Sequence, residues 1–361
     1  MKEILQPGEK FQGYKVEKLL GEGGLGTVYL VRHEMLDTLY AMKILDPEVA
    51  EQNQEYVKRF VREAKIASKI RHPNLVTVHT VGYDDAKGVY FLVMDYVSGG
   101  NLRPVIGMGG AMDHREAVRI VAQVASALAA GEPYGVVHRD IKPENIMLEP
   151  DGSVKLVDLG VAKMRGADSL KTAARTIFGT PNYVSPEQAV DSSAVDARAD
   201  VYSLGVVLFE LLCGRRPYEG DTHTAVLQQV LSPNPIPDVR KFNPAVPERL
   251  AMLILLMCAK DPEKRLASPS ALLETLERFG YEVPKAHGEV QPSPPAEAQP
   301  FDYGGYAKAD GNPTLSFDTK DEEIRDFVQG LKAKKRRELV VRIALAALAV
   351  VLAVLTLVVL M

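Results

Sequence analysis

The stretch HRDIKPEN, residues 138–145, leads directly into a predicted β-hairpin. Two strand-like runs follow it, and the Pro-Asp-Gly-Ser segment between them is typical of a turn. A hairpin folded between Asp151 and Gly152 places Asn145 and Asp158 side by side at its open end. Carboxylate and amide oxygens, with the aspartate of the quoted stretch nearby, suit a hard cation such as Mg²⁺, which often binds together with phosphates. A surface hairpin with solvated polar ends is the alternative interpretation.

The composition is that of an ordinary globular protein. A chain of 361 residues can bury a sizeable core and predicts one large domain or two lobes with further segments. The net charge of -4 argues against general affinity for nucleic acid. Cys213 and Cys258 lie in apolar, helix-like runs, so we expect buried thiols in a reducing compartment rather than a disulfide. The N-terminus lacks an apolar signal core, and no secretory signal is predicted.

Hydrophobic periodicity predicts an α+β chain. Residues 14–45 and 75–94 alternate like strands, residues 52–70 and 114–130 have helical spacing, and helices dominate 200–279. The pattern indicates a small β-rich lobe followed by a larger α-rich lobe.

The C-terminal part has a different composition. Residues 284–330 include a Pro/Ala-rich stretch and few large apolar side chains, which predicts a flexible linker. Residues 331–342 form a predicted basic juxtamembrane segment. Residues 343–361 contain no charge, and Thr356 is their only polar side chain. As a helix they would extend roughly 28 Å, close to the hydrocarbon thickness of a bilayer, so we expect one transmembrane helix.

The basic segment orients this predicted span. The positive-inside rule keeps the N-terminal bulk in the cytoplasm. The sequence therefore predicts a single-pass protein of the cytoplasmic membrane that contacts the lipid bilayer through 343–361. A buried core helix or a hydrophobic tail that binds a partner is the alternative, although a soluble helix normally shows a polar face.

A glycine-rich segment at 21–28 matches the pattern G-x-G-x-x-G-x-V. A dinucleotide-binding fingerprint requires a helix directly afterwards. Here the following residues are β-branched and aromatic, so we predict strand–turn–strand. Glycines in such a turn let backbone N–H groups approach phosphates without side-chain clashes. An ordinary Gly-rich hairpin is the alternative.

Two charged residues fall within apolar patterns. Lys43 lies in an apolar strand and needs an anion. Glu63 falls on the apolar face of the helix predicted at 52–70, where an unpaired carboxylate is costly. We predict a Lys43–Glu63 pair that aims the lysine at the phosphates. A glutamate at the rim of the helix, exposed to water, is the alternative.

Together these segments resemble the eukaryotic-type Ser/Thr protein kinase family over roughly 14–279. The motifs that carry the resemblance are the loop at 21–28, Ala41-Met42-Lys43, Glu63, HRDIKPEN at 138–145, Asp158-Leu159-Gly160, Ser185-Pro186-Glu187, Asp200 with Tyr202-Ser203-Leu204-Gly205, and Arg265. Several ordered motifs at family-like spacing are far more specific than any one of them. The sequence at 183–188, with a predicted membrane span C-terminal to the catalytic domain, is similar to the bacterial transmembrane branch of this family. The resemblance implies a bilobal protein-kinase fold over 14–280.

The resemblance implies catalytic roles for matching residues. Lys43, supported by Glu63, is expected to hold the α- and β-phosphates of ATP. Asp140 is expected to orient the substrate hydroxyl and accept its proton. Lys142 is expected to steady the γ-phosphate, and in this family it accompanies Ser/Thr rather than Tyr substrates. Thr180 is expected to help shape the substrate site beside Asp140.

The resemblance also implies a nucleotide and metal site. Asn145 and Asp158 are expected to hold Mg²⁺. Val28 and Ala41 of the N-lobe and Met147 of the C-lobe are expected to sandwich adenine. The nucleotide-binding set is Leu20, Gly21, Glu22, Gly23, Gly24, Leu25, Gly26, Thr27, Val28, Ala41, Lys43, the gatekeeper Met94, the hinge residues Asp95 and Val97, and Met147.

Regulatory and structural roles follow by the same resemblance. An arginine at the position of Arg139 commonly receives a phosphate on the activation segment. Thr176, and after it Thr172, are the predicted phosphorylation sites. Glu187 and Arg265 are expected to form a structural ion pair.

The implied function is transfer of the ATP γ-phosphoryl group to Ser/Thr hydroxyls of proteins by a membrane-anchored kinase. Self-phosphorylation, in a homodimer, is part of this expectation, and nucleic acid is not an expected partner. Glu144 weakly indicates a preference for a basic residue near the target hydroxyl. A membrane-tethered pseudokinase scaffold and a small-molecule kinase are the alternatives. Leu159 replaces the usual Phe after the metal-binding aspartate, a conservative change.

Overall fold

The computed structural model describes residues 4–24, 26–52, 54–158, 181–191 and 195–284. The predicted basic segment and membrane span, and all but the first residue of the predicted linker, lie outside these residues. Among the helices that the structure describes, none is long and apolar enough to cross a bilayer.

The N-lobe is built on one antiparallel sheet. Its strand order is β1-β2-β3-β4-β6-β5, so only the last two strands depart from sequence order. Two helices, α1 and α2, lie between β4 and β5 in the chain. The elements are β1 Lys10–Phe11, β2 Tyr14–Gly23, β3 Gly26–His33, β4 Leu39–Leu45, α1 Pro47–Gln52, α2 Gln54–Ala67, β5 Val78–Asp84 and β6 Val89–Asp95.

Each face of this sheet buries its own apolar cluster. One cluster contains Tyr29, Met42 and Phe91, whose side chains alternate along β3, β4 and β6 with those of the other face. The second cluster joins the sheet to Phe60 of α2. The helix predicted over 52–70 is confirmed, although α2 ends three residues earlier. Its apolar stripe packs on the sheet, as the periodicity predicts.

The C-lobe is mainly helical and contains one two-stranded hairpin. Its core surrounds α6, in which every residue from Ala199 to Leu212 is buried. The elements are α3 Arg103–Gly109, α4 His114–Gly131, β7 Ile146–Leu148, β8 Val154–Leu156, α5 Pro186–Val190, α6 Arg198–Cys213, α7 His223–Leu231, α8 Glu248–Met257 and α9 Pro269–Arg278. The described residues confirm the bilobal architecture of a β-rich N-lobe and an α-rich C-lobe.

Close packing around α6 involves one glycine and one of the two cysteines. A Cβ at Gly205 would lie 2.7 Å from the Sγ of Cys258, so only glycine allows α6 to approach the end of α8 at this point. Both Cys213 and Cys258 are free, and burial raises the pKa of each thiol to about 12. The predicted absence of a disulfide between them is confirmed.

The predicted hairpin forms, but its register differs by one residue. Ile146 pairs with Leu156, and the Asn145 carbonyl accepts the Val157 N–H at 3.0 Å. Asn145 therefore lies opposite Val157, and the prediction that it lies opposite Asp158 is wrong. The reason is the connecting loop, which runs from 149 to 153. It has an odd number of residues, so the hairpin turns about Asp151 and not about the bond between Asp151 and Gly152. Asp158 is the next residue beyond the paired end.

An ion pair fastens the segment after 181 to the C-lobe. The guanidinium of Arg265 donates to both carboxylate oxygens of Glu187, at 2.6 and 2.8 Å. The Arg265 side chain is completely buried and also donates to the Ala259 carbonyl. The predicted Glu187–Arg265 pair is confirmed as a bidentate contact, the strongest geometry for such a pair.

Glu187→Gln should destabilise the protein strongly, because it leaves the buried Arg265 without its counter-charge. We expect a loss of about 3–5 kcal/mol in the free energy of unfolding. Urea denaturation followed by circular dichroism measures it, since the chain has no tryptophan.

Glu263→Gln is the matched control for this prediction. Glu263 pairs with Arg198 at 2.5 Å, but 78% of its side chain is exposed. Loss of such a surface pair should cost no more than about 1 kcal/mol. Equal losses in the two variants would contradict the structural role given to Glu187.

Candidate active site

A buried carboxylate holds the catalytic stretch in place. Asp200, at the start of α6, accepts the backbone N–H groups of His138 and Arg139, both at 2.7 Å. Burial raises the pKa of Asp200, while His138 and the two N–H groups oppose that rise. Arg139 has a φ of 64°, a left-handed conformation that non-glycine residues seldom adopt. The sequence motif includes Asp200, but sequence reasoning assigned it no anchoring role.

His138 connects this stretch to the hairpin. Its Nε2 lies 3.0 Å from the Val157 carbonyl, and its Nδ1 lies 3.3 Å from the Asp140 N–H. A carbonyl only accepts and an N–H only donates, so in this geometry Nε2 donates and Nδ1 accepts. His138 therefore couples the residue before Asp158 to the backbone of Asp140.

Three predicted site residues come together around one carboxylate. The Lys142 ammonium lies 3.0 Å from Oδ2 of Asp140. The Asn145 amide nitrogen donates to the Asp140 carbonyl at 2.8 Å and to Oδ2 at 3.1 Å. Because its nitrogen is used in this way, the amide oxygen of Asn145 is left to accept or to coordinate. The structure thus joins a candidate base, a cation and an oxygen ligand.

Lys43 pairs with Asp158 rather than with Glu63. Its ammonium donates to Oδ1 of Asp158 at 2.7 Å. Burial alone would raise the pKa of Asp158, but the charge and hydrogen bond of Lys43 hold it below the usual value. Asp158 also has a positive φ, 57°. The predicted Lys43–Glu63 pair is therefore wrong for this conformation, because a carboxylate from the C-lobe takes the lysine.

Glu63 is left without a hydrogen-bond partner among the described residues. Both of its carboxylate oxygens are buried, and only 5% of the residue is exposed. Burial raises its pKa to about 9, against the weaker opposing effects of nearby cations such as Arg59 and Lys43. The carboxyl is therefore protonated at neutral pH, which lowers the cost of burying it unpaired.

The glycine-rich segment adopts the predicted strand–turn–strand form. Strands β2 and β3 pair up to Gly23 and Gly26. A Cβ at Gly26, where φ is 154°, would lie 2.0 Å from the Ile44 carbonyl oxygen, so this position requires glycine. At Gly21 and Gly24 a Cβ would meet no atom within 4 Å, so the turn presents open backbone that a phosphate can approach. Leu25 lies outside the described residues.

The apolar residues predicted to sandwich adenine, from both lobes, pack in one cluster. Val28, Ala41 and Met94 of the N-lobe share one cluster with Met147 and Val157 of the C-lobe hairpin. The cluster also contains Val97, while Leu20 is 39% exposed at the edge of the sheet. Sequence reasoning missed Val157, although its position just before Asp158 in the hairpin was a usable signal.

One backbone group of the predicted hinge is already paired within the N-lobe. The Asp95 N–H donates to the Thr77 carbonyl at 3.0 Å and is not available to a nucleotide. Its side chain lies 2.7 Å from His79 Nε2 and 3.9 Å from the Lys155 ammonium of β8. Asp95 thus links the two lobes, and the nucleotide contact expected of the other hinge groups, including those of Val97, stays a prediction.

Arg139 is buried in the C-lobe, directly before Asp140 in the catalytic stretch. It is 6% exposed, and its Nη2 donates to the Val195 carbonyl at 3.2 Å. The predicted phosphate acceptors Thr176 and Thr172, and the predicted substrate-site residue Thr180, lie outside the described residues. The regulatory assignment therefore stays a prediction.

Asn145 and Asp158 fit a divalent metal in their donor chemistry. They offer an amide oxygen and a carboxylate oxygen, the ligand types that hard cations prefer. Among the described residues, no group of three or more His, Cys, Asp and Glu side chains could hold a metal by itself. Two protein ligands suit an ion that completes its coordination with phosphate oxygens and water.

A sequence model of the protein kinase domain matches residues 14–276. The chain belongs to the protein kinase family. This finding confirms the family that the motifs predicted, and protein kinases use ATP and a divalent metal ion.

Three bacterial proteins similar to this kinase are named serine/threonine-protein kinases. The chain is 38% identical over 259 residues to PrkC of Bacillus subtilis, 38% over 277 residues to pkn3 of Myxococcus xanthus and 34% over 304 residues to PknB of Mycolicibacterium smegmatis. These alignments cover 72%, 74% and 82% of this chain, and 39%, 50% and 48% of those proteins. The chain thus spans half or less of the length of these relatives.

A solved kinase domain has the same architecture. The crystal structure of the Mycobacterium tuberculosis PknI kinase domain aligns with a TM-score of 0.60 at 29% identity. The alignment covers 76% of this kinase and 99% of that domain. The bilobal fold expected from the motifs is therefore that of known kinase domains.

The buried Glu63 should make the stability of this kinase depend on pH. In the folded protein the pKa of this carboxyl is about 9, so it keeps its proton through neutral pH. In the unfolded chain its pKa is the ordinary value of 4.5, so the proton is lost at a much lower pH. The free energy of unfolding should therefore fall as pH rises from 6 to 8, by up to about 1.4 kcal/mol per pH unit. Glu63→Gln should remove this fall, measured as unfolding free energy without nucleotide.

Glu51→Gln is the control, because Glu51 is an exposed residue of α1. This variant should keep the pH dependence of the wild type. If the free energy of unfolding falls equally from pH 6 to 8 in Glu63→Gln and in the wild type, Glu63 does not carry the extra proton.

Proposed function

We propose that this chain is an ATP-dependent Ser/Thr protein kinase that transfers the γ-phosphoryl group of ATP to protein hydroxyls. The observation that carries the proposal is the convergence of Lys43, Asp140, Lys142, Asn145 and Asp158 between the two lobes. The hydrogen bonds and ion pairs among them connect the candidate base, the phosphate-binding cations and the metal ligands.

The chemistry follows from the positions of these groups. Asp140 accepts the proton of a substrate hydroxyl. At the same time the hydroxyl oxygen forms a bond to the γ-phosphorus, and the bond between that phosphorus and the bridging oxygen of ADP breaks. Lys142 neutralises charge on the transferred group, and Lys43 binds the α- and β-phosphates. Asn145 and Asp158 would hold Mg²⁺, which would supply neutralisation of the phosphate charge. Positioning and charge neutralisation supply most of the catalysis.

Nucleotide binding changes the partner of Lys43 in this proposal. The Lys43–Asp158 pair places the lysine on a residue that must also hold the metal. With Asp158 engaged in holding a metal, Lys43 would be available to the phosphates and to Glu63. Glu63 would then ionise, because a cation within reach favours its charged form. This explains why a glutamate buried among apolar side chains lies close to an active-site lysine.

The substrates in this proposal are proteins with Ser or Thr acceptors. Lys142 supports the choice of Ser/Thr over Tyr through the family resemblance, and relatives carry Ser/Thr kinase names. We further propose self-phosphorylation between two copies of the chain, at Thr176 before Thr172. Arg139 then binds the phosphate, because a guanidinium and a phosphate form strong charge-assisted bonds.

The kinase is proposed to act at the cytoplasmic face of a membrane. The uncharged run 343–361, preceded by the basic segment 331–342, supports a single C-terminal anchor. The linker 284–330 separates that anchor from the kinase domain, which gives the active site lateral reach.

Asp140→Asn and Lys43→Met should each lower phosphoryl transfer by about 100-fold or more, since they remove the base and the phosphate-binding cation. Labelled γ-phosphate incorporated into the purified full chain measures the effect, and phosphosite mapping by mass spectrometry should place the wild-type label at Thr176.

Asp151→Asn and Lys15→Met are the matched controls, because both residues are exposed and outside the cleft. They should incorporate label like the wild type. Undiminished incorporation in Asp140→Asn would favour the pseudokinase scaffold, with a contaminating kinase as the source of label.

Deletion of 343–361 should release the kinase from membranes without reducing phosphoryl transfer per molecule. Sedimentation of membranes in high salt measures the first effect, and labelled phosphate the second. Deletion of 291–309, a linker segment of the same length, should leave the protein in the membrane fraction. If the chain without 343–361 still sediments with membranes, the anchor lies elsewhere.

A further inference from the structure

A partly buried charge cluster includes one residue of the catalytic stretch, Glu144. Arg103, the first residue of α3, donates through Nε to Glu144 and through Nη1 to Glu210, each at 2.8 Å. The hydroxyl of Tyr183 contacts both Arg103 and Glu210. One arginine therefore binds two carboxylates that come from distant parts of the chain.

The cluster borders the place where a protein substrate must bind. Glu144 lies in the turn Pro143–Asn145, between the Lys142 and Asn145 side chains that contact Asp140. An acceptor hydroxyl must reach Asp140 to lose its proton. Because Glu144 stands between two residues that contact Asp140, residues flanking the acceptor pass close to Glu144.

The charges within the cluster balance. The two carboxylates of Glu144 and Glu210 face the guanidiniums of Arg103 and Arg216, and Nε of Arg216 lies 3.3 Å from Glu210. Tyr183 stays neutral, because burial raises the pKa of its hydroxyl and the adjacent Glu210 raises it further. No net negative charge remains to attract a cation.

The Glu144 side chain is 38% exposed, but its carboxylate faces Arg103. Oε1 accepts from Arg103, and Oε2 is buried. The Glu210 side chain is 4% exposed. A substrate guanidinium could reach these carboxylates only by displacing Arg103, whose side chain is 26% exposed and would lose both of its partners. An exchange of one guanidinium for another gains little, because the bonds formed equal the bonds broken.

We propose that Arg103 is a specificity residue that occupies the acidic site a basic substrate residue would otherwise use. The kinase therefore takes Ser/Thr proteins without selecting arginine around the acceptor. This inference rests on the proposed kinase function. It replaces the expectation that Glu144 favours a basic residue near the target hydroxyl.

A positional-scanning peptide library tests the proposal with the purified full chain. Each pool contains a central threonine and one fixed flanking residue, either arginine or alanine. The ratio of labelled phosphate in the arginine pool to that in the alanine pool is measured at each position. For the wild type we expect ratios within about twofold of one at every position. For Arg103→Ala we expect a rise of about tenfold at one or two positions, the typical effect of one close charge pair.

Further variants separate specificity from general damage. In the double variant Arg103→Ala/Glu144→Gln the arginine preference should disappear again, because the exposed carboxylate is gone. Glu144→Gln alone should leave the wild-type ratios unchanged, and it tests the proposal even if Arg103→Ala fails to fold. Arg215→Ala is the matched control, since Arg215 pairs with Glu219 at 2.6 Å rather than with Glu144 or Glu210. It should not change the ratios.

The outcomes distinguish this inference from the proposed function. A wild-type preference for arginine that Glu144→Gln abolishes would overturn the inference and leave the kinase function intact. A folded Arg103→Ala protein that labels peptides with wild-type ratios would do the same. If the wild type labels no pool and no residue of its own, the proposed function fails and the inference fails with it.

Discussion

The two hydrogen bonds that Asp200 accepts from the backbone of His138 and Arg139 are the constraint on which the site depends. They hold Arg139 in a left-handed conformation, with a φ of 64°, that a free chain would seldom populate. Asp200 belongs to α6, the most buried helix of the C-lobe. The catalytic stretch is therefore attached to the rigid core through a side chain 62 residues away in sequence. Groups that must act together within about 0.5 Å need such support from a rigid element.

Local patterns predicted most of the fold. The strand–turn–strand form of the glycine-rich segment, the helix that carries Glu63, and the hairpin after Asn145 all follow from spacing and turn residues alone. The one-residue difference in the hairpin register has a local cause as well, because the loop contains an odd number of residues. Turn composition identifies a hairpin more reliably than it fixes the pairing across it.

The partners of charged side chains were predicted less well. The apolar face of α2 indicates that Glu63 is buried, which is correct, but burial does not identify a partner. Lys43 contacts Asp158, which is 115 residues away and belongs to the other lobe. Whether Lys43 pairs with Glu63 or with Asp158 depends on the relative position of the lobes and on desolvation. A local sequence pattern reports neither of these. Burial protonates the carboxylate that loses the lysine, so the mismatch costs less than an unpaired charge would.

The same reasoning applies to the acidic residue in the catalytic stretch. In the sequence, Glu144 looks like a free carboxylate beside the reacting groups and suggests a site for a basic substrate. In the fold, a guanidinium from a residue 41 positions earlier satisfies it, and that guanidinium also binds Glu210 of the central helix. A carboxylate in a motif therefore attracts a substrate only if the protein supplies no nearer cation. Here α3 supplies one, so the charge that the substrate encounters is set by an element outside the motif.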